Sequence, residues 1–354
     1  YYADEIHDEI VEILRPAWTD GRLWVGQNSD YFDAEIVERW FGVRPAPSRD
    51  LIVDHSLAWS ERRHGLAVVG SDYSDVVGWK EDEAGRKIAT DARSNVELWE
   101  YNGRFDVPVT HVCAPQVYAE AVAFAQAGPD AVCPGRPSLR LDDLLHRLHG
   151  EVGAGMHRNG IWIDQQQRAE IEVELERKGA RARVEAQRAA EAIGWSKKSY
   201  KGKSAPDFNP GSVHHVRHLL FDLLRLDPVH ATEAGDPSTD EAALLDYLQD
   251  LSLPPDVHMA VRRVRLYREA KKQQEMIVPF RPRSEGGAVD DETGRLHTNW
   301  WVWRPVTTRF ASGDPVNLQN LPHWLLEFVA APPGRCLVSG DKAAVEGRVG
   351  AARW

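Results

Sequence analysis

The sequence predicts an α/β amino-terminal part followed by an α-rich remainder. Three observations carry this reading. Residues 1–118 alternate helical periodicity with short apolar runs, as α/β chains do. From residue 165 onward, polar-alanine and amphipathic stretches of helical period dominate. Near the carboxy-terminal end, CLVSGD reads as one last strand that delivers an aspartate, Asp341, at its tip.

Taken in order, EIVEILRPAW reads as a helix and GRLWVGQN as a strand running into a turn. DAEIVERWFG is an amphipathic helix closed by Gly42, and DLIVDHSLAW is a strand-to-helix passage. GPD and PGRPS punctuate residues 119–155 before the helix LDDLLHRLHGEV. Residues 165–193 form a long helix or a helix pair with a break near Gly179. The loop SKKSYKGKSAPDFNPGS leads to the helix VHHVRHLLFDLLRL, whose His214, His215 and His218 read as surface positions. GDPSTDEAALLDYLQDL predicts a turn and a helix capped by Ser238 or Thr239, with Asp240 and Glu241 in its first turn. VRRVRLYREAKKQQEMI is a long basic helix, and residues 281–334 are loop-rich, with tryptophans that read as packing.

The chain of 354 residues is long enough for two or three domains, and 42% apolar with 27% charged residues is a globular balance. No run approaches the roughly 18 apolar residues of a membrane span. Cys113, Cys133 and Cys336 lie far apart, which predicts free thiols and no zinc-type cysteine site. Net charge is −11, but residues 1–54 hold twelve acids against five Lys/Arg while residues 176–225 hold eleven Lys/Arg against five acids. An acidic segment beside a basic one suits metal chemistry next to a phosphate-gripping surface, and ordinary solvated faces are the alternative.

The motifs sharpen this. GRLHTNWWVWRPVTTRFASGDPVNLQNLP, residues 294–322, precedes APPGRCLVSGDKAAVEGRV. The first segment resembles the template-primer-binding stretch of family A DNA polymerases, with His297 and Arg309 twelve apart and Ser312, Pro315, Asn317, Leu318, Gln319, Asn320 and Pro322 in order. The second is similar to that family's motif A. MHRNGIWID, FNPGSVHHVRHLLFDLLRL with Asn209 and Ser212, TEAGDPSTDEAALLDYL and YREAKKQQEM resemble successive polymerase segments. VGQNSDYFDAEIVERWFG, with Asn28 and Asp33, and LWEYNGRFDVPVT, with Tyr101 and Asp106, resemble the second and third motifs of the associated 3′–5′ exonuclease. HGLAVVGSDYSDVVGWKED points to the phage and mitochondrial-like branch. The chain departs from the family pattern at three single-residue excesses. Both exonuclease gaps are five where the family has four, so Asp30 stands as an alternative ligand, and Val316 splits Pro315 from Asn317.

The resemblance implies a partial ribonuclease H-like exonuclease domain (1–118), a connecting segment (119–150) and a partial right-hand polymerase domain (151–354), with the thumb at about 165–275 and the palm up to motif A. The exonuclease's first acidic motif is then expected before residue 1, and the fingers and second palm carboxylates after residue 354, so that the chain alone polymerises nothing. By the same resemblance Asp341 is a ligand of two magnesium ions, Glu346 closes on the incoming nucleotide's sugar, and Arg309, Gln319 and Asn320 contact the primer end. Lys197, Lys198, Lys201 and Lys203 grip duplex phosphates, and Arg268, Lys271 and Lys272 share a helix face towards DNA. Asp33 and Asp106 become exonuclease metal ligands, with Tyr101 orienting water. The expected partners are primer-template DNA, deoxynucleoside triphosphates and replication accessory proteins, with no membrane, in the cytoplasm of a bacterium or a phage-infected host. A non-catalytic nucleic-acid-binding remnant and an exonuclease-only protein are the rival readings.

Overall fold

The computed structural model of the chain describes residues 3–46, 48–76, 101–127, 132–133, 136–196, 207–340, 343–344 and 348. Asp341, Glu346, Lys197, Lys198, Lys201 and Lys203 lie outside the described residues. The chain divides into two compact units, residues 1–160 with 297–321 and residues 161–296 with 322–354.

The first unit opens with α1 (Ala3–Thr19), β1 (Trp24–Gly26), α2 (Asp33–Phe41), β2 (Ser48–Asp50) and α3 (Leu51–Ala58). Gly42 closes α2 in the left-handed conformation, its N–H reaching Glu38 O, as the sequence predicts. β1 and β2 pair in parallel, Trp24 opposite Ser48 and Gly26 opposite Asp50. The strand-to-helix passage turns at Asp50, whose carboxylate accepts from Ile52 N and caps α3. α4 (Leu66–Tyr73) follows. A π turn, Asn102–Asp106, then runs into α5 (Val107–Ala127). The expected boundary at 118/119 falls inside this continuous helix. β3 (Val132–Cys133), β4 (Arg136–Arg140), α6 (Leu141–Arg147), a second π turn (Leu148–Gly153) and α7 (Ala154–Asn159) complete the amino-terminal run. An antiparallel pair, Asn299–Trp301 with Ala311–Gly313, joins the same unit.

α3 is buried from Leu51 to Leu57. Leu51 packs with Val69, Val109 and Cys113, while Ile52, Val53 and Leu57 pack with Ala121, Leu145 and Val302. A helix covered on both sides explains why its sequence is an apolar run and reads partly as strand. The α/β reading therefore shrinks among the described residues to short two-stranded pairs in a helix-rich unit.

The second unit is built on α8 (Gln165–Ala192) and α11 (Pro255–Ile277), which pack against each other. α9 (Val213–Arg217), a π turn (His218–Leu223) and α10 (Glu241–Gln249) sit between them in sequence. Asp164 caps α8 by accepting from Gln167 N at 3.0 Å. The expected break at Gly179 is absent. α8 runs unbroken, and at about 1.5 Å per residue it is about 42 Å long. Leu175, Gly179, Ala182, Ala186 and Ala190 form its buried stripe. A Cβ on Gly179 would meet Gln274 Nε2 at 2.3 Å, so this glycine serves close approach, and Gln274 donates to Leu175 O at 2.9 Å. The cap of α10 is Asp240, which accepts from Ala243 N at 2.9 Å, while Ser238 Oγ accepts from Asp240 N. The side chain nearest the unsatisfied helical N–H groups wins over the predicted Ser238 or Thr239.

The expected last strand does not form over residues 335–340. Leu337 and Val338 are 64% and 90% exposed, and no described segment pairs with them. An apolar run becomes a strand only where a ladder accepts its backbone groups.

Candidate functional site

In the first unit, a cavity of about 1570 Å³ is lined by Asn28, Asp33, Arg49, Asp54, Asp106 and Trp303, among others. Asn28, Asp33 and Asp106, singled out in sequence, thus share one wall system. The extra residue in each exonuclease-like gap has a structural counterpart. Ala34 N donates to Ser29 O at 2.8 Å, and Val107 N donates to Asn102 O; both bonds span five residues rather than the four of an α-helix. A wide turn of this kind holds one residue more than an α-helical turn. Tyr101, however, is 5% exposed and packs on Phe105 within the Leu51–Val69–Val109 cluster, and it is not among the cavity's lining.

Arg49 organises the polar interior beside this cavity. Its Nε and Nη2 donate to the two oxygens of Asp54 at 2.8 and 2.7 Å, and Nη2 also reaches Asp142 at 2.9 Å. Its guanidinium lies 4.2 Å from the centre of the Tyr118 ring. His146 Nδ1 accepts from Asp50 N at 3.2 Å, so the ring's proton sits on Nε2 and is donated to Asp54 Oδ1 at 3.0 Å. Burial by itself would raise the Asp54 carboxyl, but the His146 and Arg49 hydrogen bonds hold it below the usual carboxylate range.

Asp50 is fully buried and accepts from Asn28 N at 2.7 Å and Asp30 N at 3.3 Å, tying the loop after β1 to the start of α3. Burial and then the Asp50 charge raise both Asp30 and Asp33 above the usual range. Among the described residues, one group of three side chains brings its donor atoms within 4.8 Å of one another: Asp30, Asp50 and His149. Neither Asp33 nor Asp106 belongs to it. Sequence reasoning kept Asp30 open and missed Asp50 and His149. The signal was there for Asp50, an aspartate at a strand-to-helix junction; His149 stands in LHRLHG with no ligand spacing around it.

The segment around Ser312 is a closed turn. Ser312 is buried, and its Oγ accepts from Gln319 N at 3.3 Å and bonds Asn317 Oδ1 at 2.9 Å. Gln319 Oε1 accepts from Ser312 N at 2.9 Å, and Gln319 Nε2 donates to Phe310 O at 2.9 Å. Thr298 Oγ1 has the carbonyl oxygens of Gly313 and, at 2.7 Å, Val316 as acceptors for its single proton. The inserted Val316 therefore contributes a carbonyl to this closure. His297 donates from Nδ1 to His157 O at 2.8 Å. Gln319, predicted to contact DNA, has both ends of its amide engaged within the turn. Arg309 and Asn320 are exposed, and Trp301 is buried beneath Arg304, whose guanidinium lies 4.5 Å from the ring.

In the second unit, Asn209 Oδ1 accepts from Gly211 N and Ser212 caps α9, accepting from His215 N. His215 is buried against Trp195 and Phe208, accepting from Asn209 N at 3.0 Å, and His218 pairs with Asp222 at 2.7 Å. The surface reading of His215 is thereby corrected: its ring satisfies a backbone donor inside an aromatic cluster. Arg268 also departs from the shared-face expectation. Its guanidinium turns inward to Pro210 O at 3.0 Å and to Thr239 O, and burial holds it below its ordinary pKa range. Lys271 and Lys272 are exposed.

Residues 179–352 match the sequence profile of DNA polymerase family A. DNA polymerase I of Pseudomonas aeruginosa is 26% identical over 260 residues, which is 67% of this chain and 26% of that protein. The thermostable DNA polymerase I of Thermus thermophilus is 34% identical over 115 residues, 32% of this chain and 12% of the relative. The chain therefore spans about a quarter or less of these relatives' length. A solved structure described as the POL domain of Pol1 from M. smegmatis in complex with DNA primer-template and dNTP superposes with a TM-score of 0.54 at 18% identity. It covers 84% of this chain and 44% of that one, which shows the fold. The family match thus covers residues 179–352, just under half of this chain.

Proposed function

We propose that this chain is the thumb-bearing and motif-A-bearing part of an enzyme that copies a DNA template by adding deoxynucleotides to a primer. The observation that carries the reading is the ordered series from Asn209 and Ser212 through His297, Arg309 and Gln319 to Asp341, lying largely within the family match at residues 179–352. In this reading residues 151–354 are polymerase and residues 1–118 are exonuclease-like. Asp341 holds divalent cations, generally magnesium in this family, which would activate the primer hydroxyl and neutralise charge on the reacting phosphate. Glu346 closes on the sugar. Arg309 tests the minor-groove acceptors that every base pair presents in similar places, and Asn320 supports the primer end. Gln319 acts by holding the Ser312 turn that presents them.

Lys197, Lys198, Lys201 and Lys203, with exposed Lys271 and Lys272, supply phosphate contacts without sequence choice. Asp33 and Asp106 mark a 3′–5′ exonuclease cavity that needs further carboxylates to hold its metals. Binding of labelled primer-template by the 354-residue chain tests the reading. Preference for the duplex junction over a single strand of equal length is expected, with affinity falling steeply with salt. Equal binding to both, with no salt dependence, contradicts it.

A further inference from the structure

Asp30, Asp50 and His149 are 2%, 0% and 0% exposed. Among the described residues, neither ring nitrogen of His149 has a hydrogen-bond partner, and Asp30 Oδ1 has none either. His149 Nε2 points at Asp50 Oδ2 from 3.6 Å. Asp50 already accepts from three backbone N–H groups, so the unspent capacity of this buried cluster lies on Asp30 Oδ1 and on the ring nitrogens of His149. Burying such groups is costly unless something neutralises and coordinates them.

The neighbouring cations are already matched. Arg44 donates its Nη1 to Glu35 and Glu38 and its Nη2 to the Asp30 backbone carbonyl. Arg49 is held by Asp54 and Asp142. With both carboxylates ionised, a divalent cation balances the charge of the cluster. The spacing also fits. Ligands about 2.0–2.2 Å from a tetrahedral zinc ion stand about 3.4 Å apart, close to the 3.6 Å between His149 and Asp50. The backbone makes room as well. The π turn Leu148–Gly153 carries His149 inward, and a Cβ on Gly150 would stand 2.8 Å from Asp30 Oδ2. The ring of Tyr31 lies 4.8 Å from that of His149 and fixes its plane.

We propose that Asp30, Asp50 and His149 bind a structural divalent ion of the zinc class, clamping the loop after β1, the cap of α3 and the 148–153 turn together. Imidazole with carboxylates selects borderline transition ions over magnesium, and three protein ligands leave the fourth tetrahedral position to a second carboxylate oxygen or a water. The site is independent of the polymerase reading; it uses neither Asp33 nor Asp106, and it assigns Asp30, the alternative exonuclease ligand, to this ion instead.

The test is metal uptake by the 354-residue chain after chelator treatment and dialysis against zinc. Wild type is expected to keep one zinc equivalent more than Asp30→Asn or His149→Gln, and to melt at higher temperature with zinc but not with magnesium at equal concentration. Each variant is expected to bind at least about 100-fold more weakly, beyond the 10–100-fold typical when a group that only orients a ligand is removed. Cobalt substitution should give visible absorption in wild type only. Should His149→Gln fail to fold, Asp30→Asn carries the same comparison. Equal zinc content in wild type and folded variant, or equal stabilisation by magnesium, overturns the proposal.

Discussion

At the scale of single residues, the first unit depends on buried charges being matched in place. Arg49 serves Asp54 and Asp142 at once, and both acids are almost fully buried. Arg49→Ala removes the guanidinium that both acids share, so a loss of about 3–5 kcal/mol is expected in urea unfolding. His55 makes the opposite case. It is fully buried, bonds His64 Nδ1 through its own Nδ1 at 2.9 Å, and is pushed down to about 4, first by burial and then by His64. The unfolded chain, with an ordinary imidazole, takes up a proton that the folded chain refuses between those two values. Stability contributed by neutral His55 is therefore full above about pH 6.5 and declines as pH falls towards 4. Thermal melts between pH 7 and pH 4 should show a smaller acid loss in His55→Gln than in wild type. An unchanged profile would remove His55 from the acid response.

At the scale of elements, the sequence was most legible where a helix has a free face. Gly42, the amphipathic α2 and the long α8 and α11 follow from period and caps. It was least legible where side chains decide between neighbours. Gly179 has the composition of a helix break, yet it lies opposite Gln274 in a stripe of small residues, and nothing local distinguishes the two roles. A leucine there overfills the space between α8 and α11, so Gly179→Leu should cost about 1–3 kcal/mol. A circular-dichroism melt of the variant would read this directly, and an unshifted midpoint would mean that α11 can retreat without penalty. The five-residue gaps at Asn28–Asp33 and Tyr101–Asp106 were visible in sequence, but their absorption into wide turns was not. A π turn leaves no compositional mark, because its one extra residue can be of any helix-compatible type. CLVSGD was read as a strand from apolarity alone, and pairing is a property of two segments rather than one.

At the scale of the whole molecule, the candidate site was legible as an ordered set of motifs and much less so as geometry. Ser312 and Gln319 were singled out, and they turn out to hold one another. The buried Asp30–Asp50–His149 group had no spacing by which to find it. The phosphate-gripping lysines can be tested separately. Replacing Lys197, Lys198, Lys201 and Lys203 together by alanine should weaken primer-template binding by a similar factor on every sequence. It should also flatten the slope of log affinity against log salt by up to about 0.9 for each phosphate that is no longer neutralised. Fluorescence anisotropy across a salt series would separate that from a sequence-dependent effect.

The proposed polymerase activity rests on Asp341 as the carboxylate that brings divalent cations to the primer terminus. Its sharpest test is template-directed primer extension by the intact protein, wild type against Asp341→Asn. Extension by wild type in magnesium is expected, with none detectable from a variant that still binds primer-template normally. Extension by folded Asp341→Asn at the wild-type rate would contradict that role.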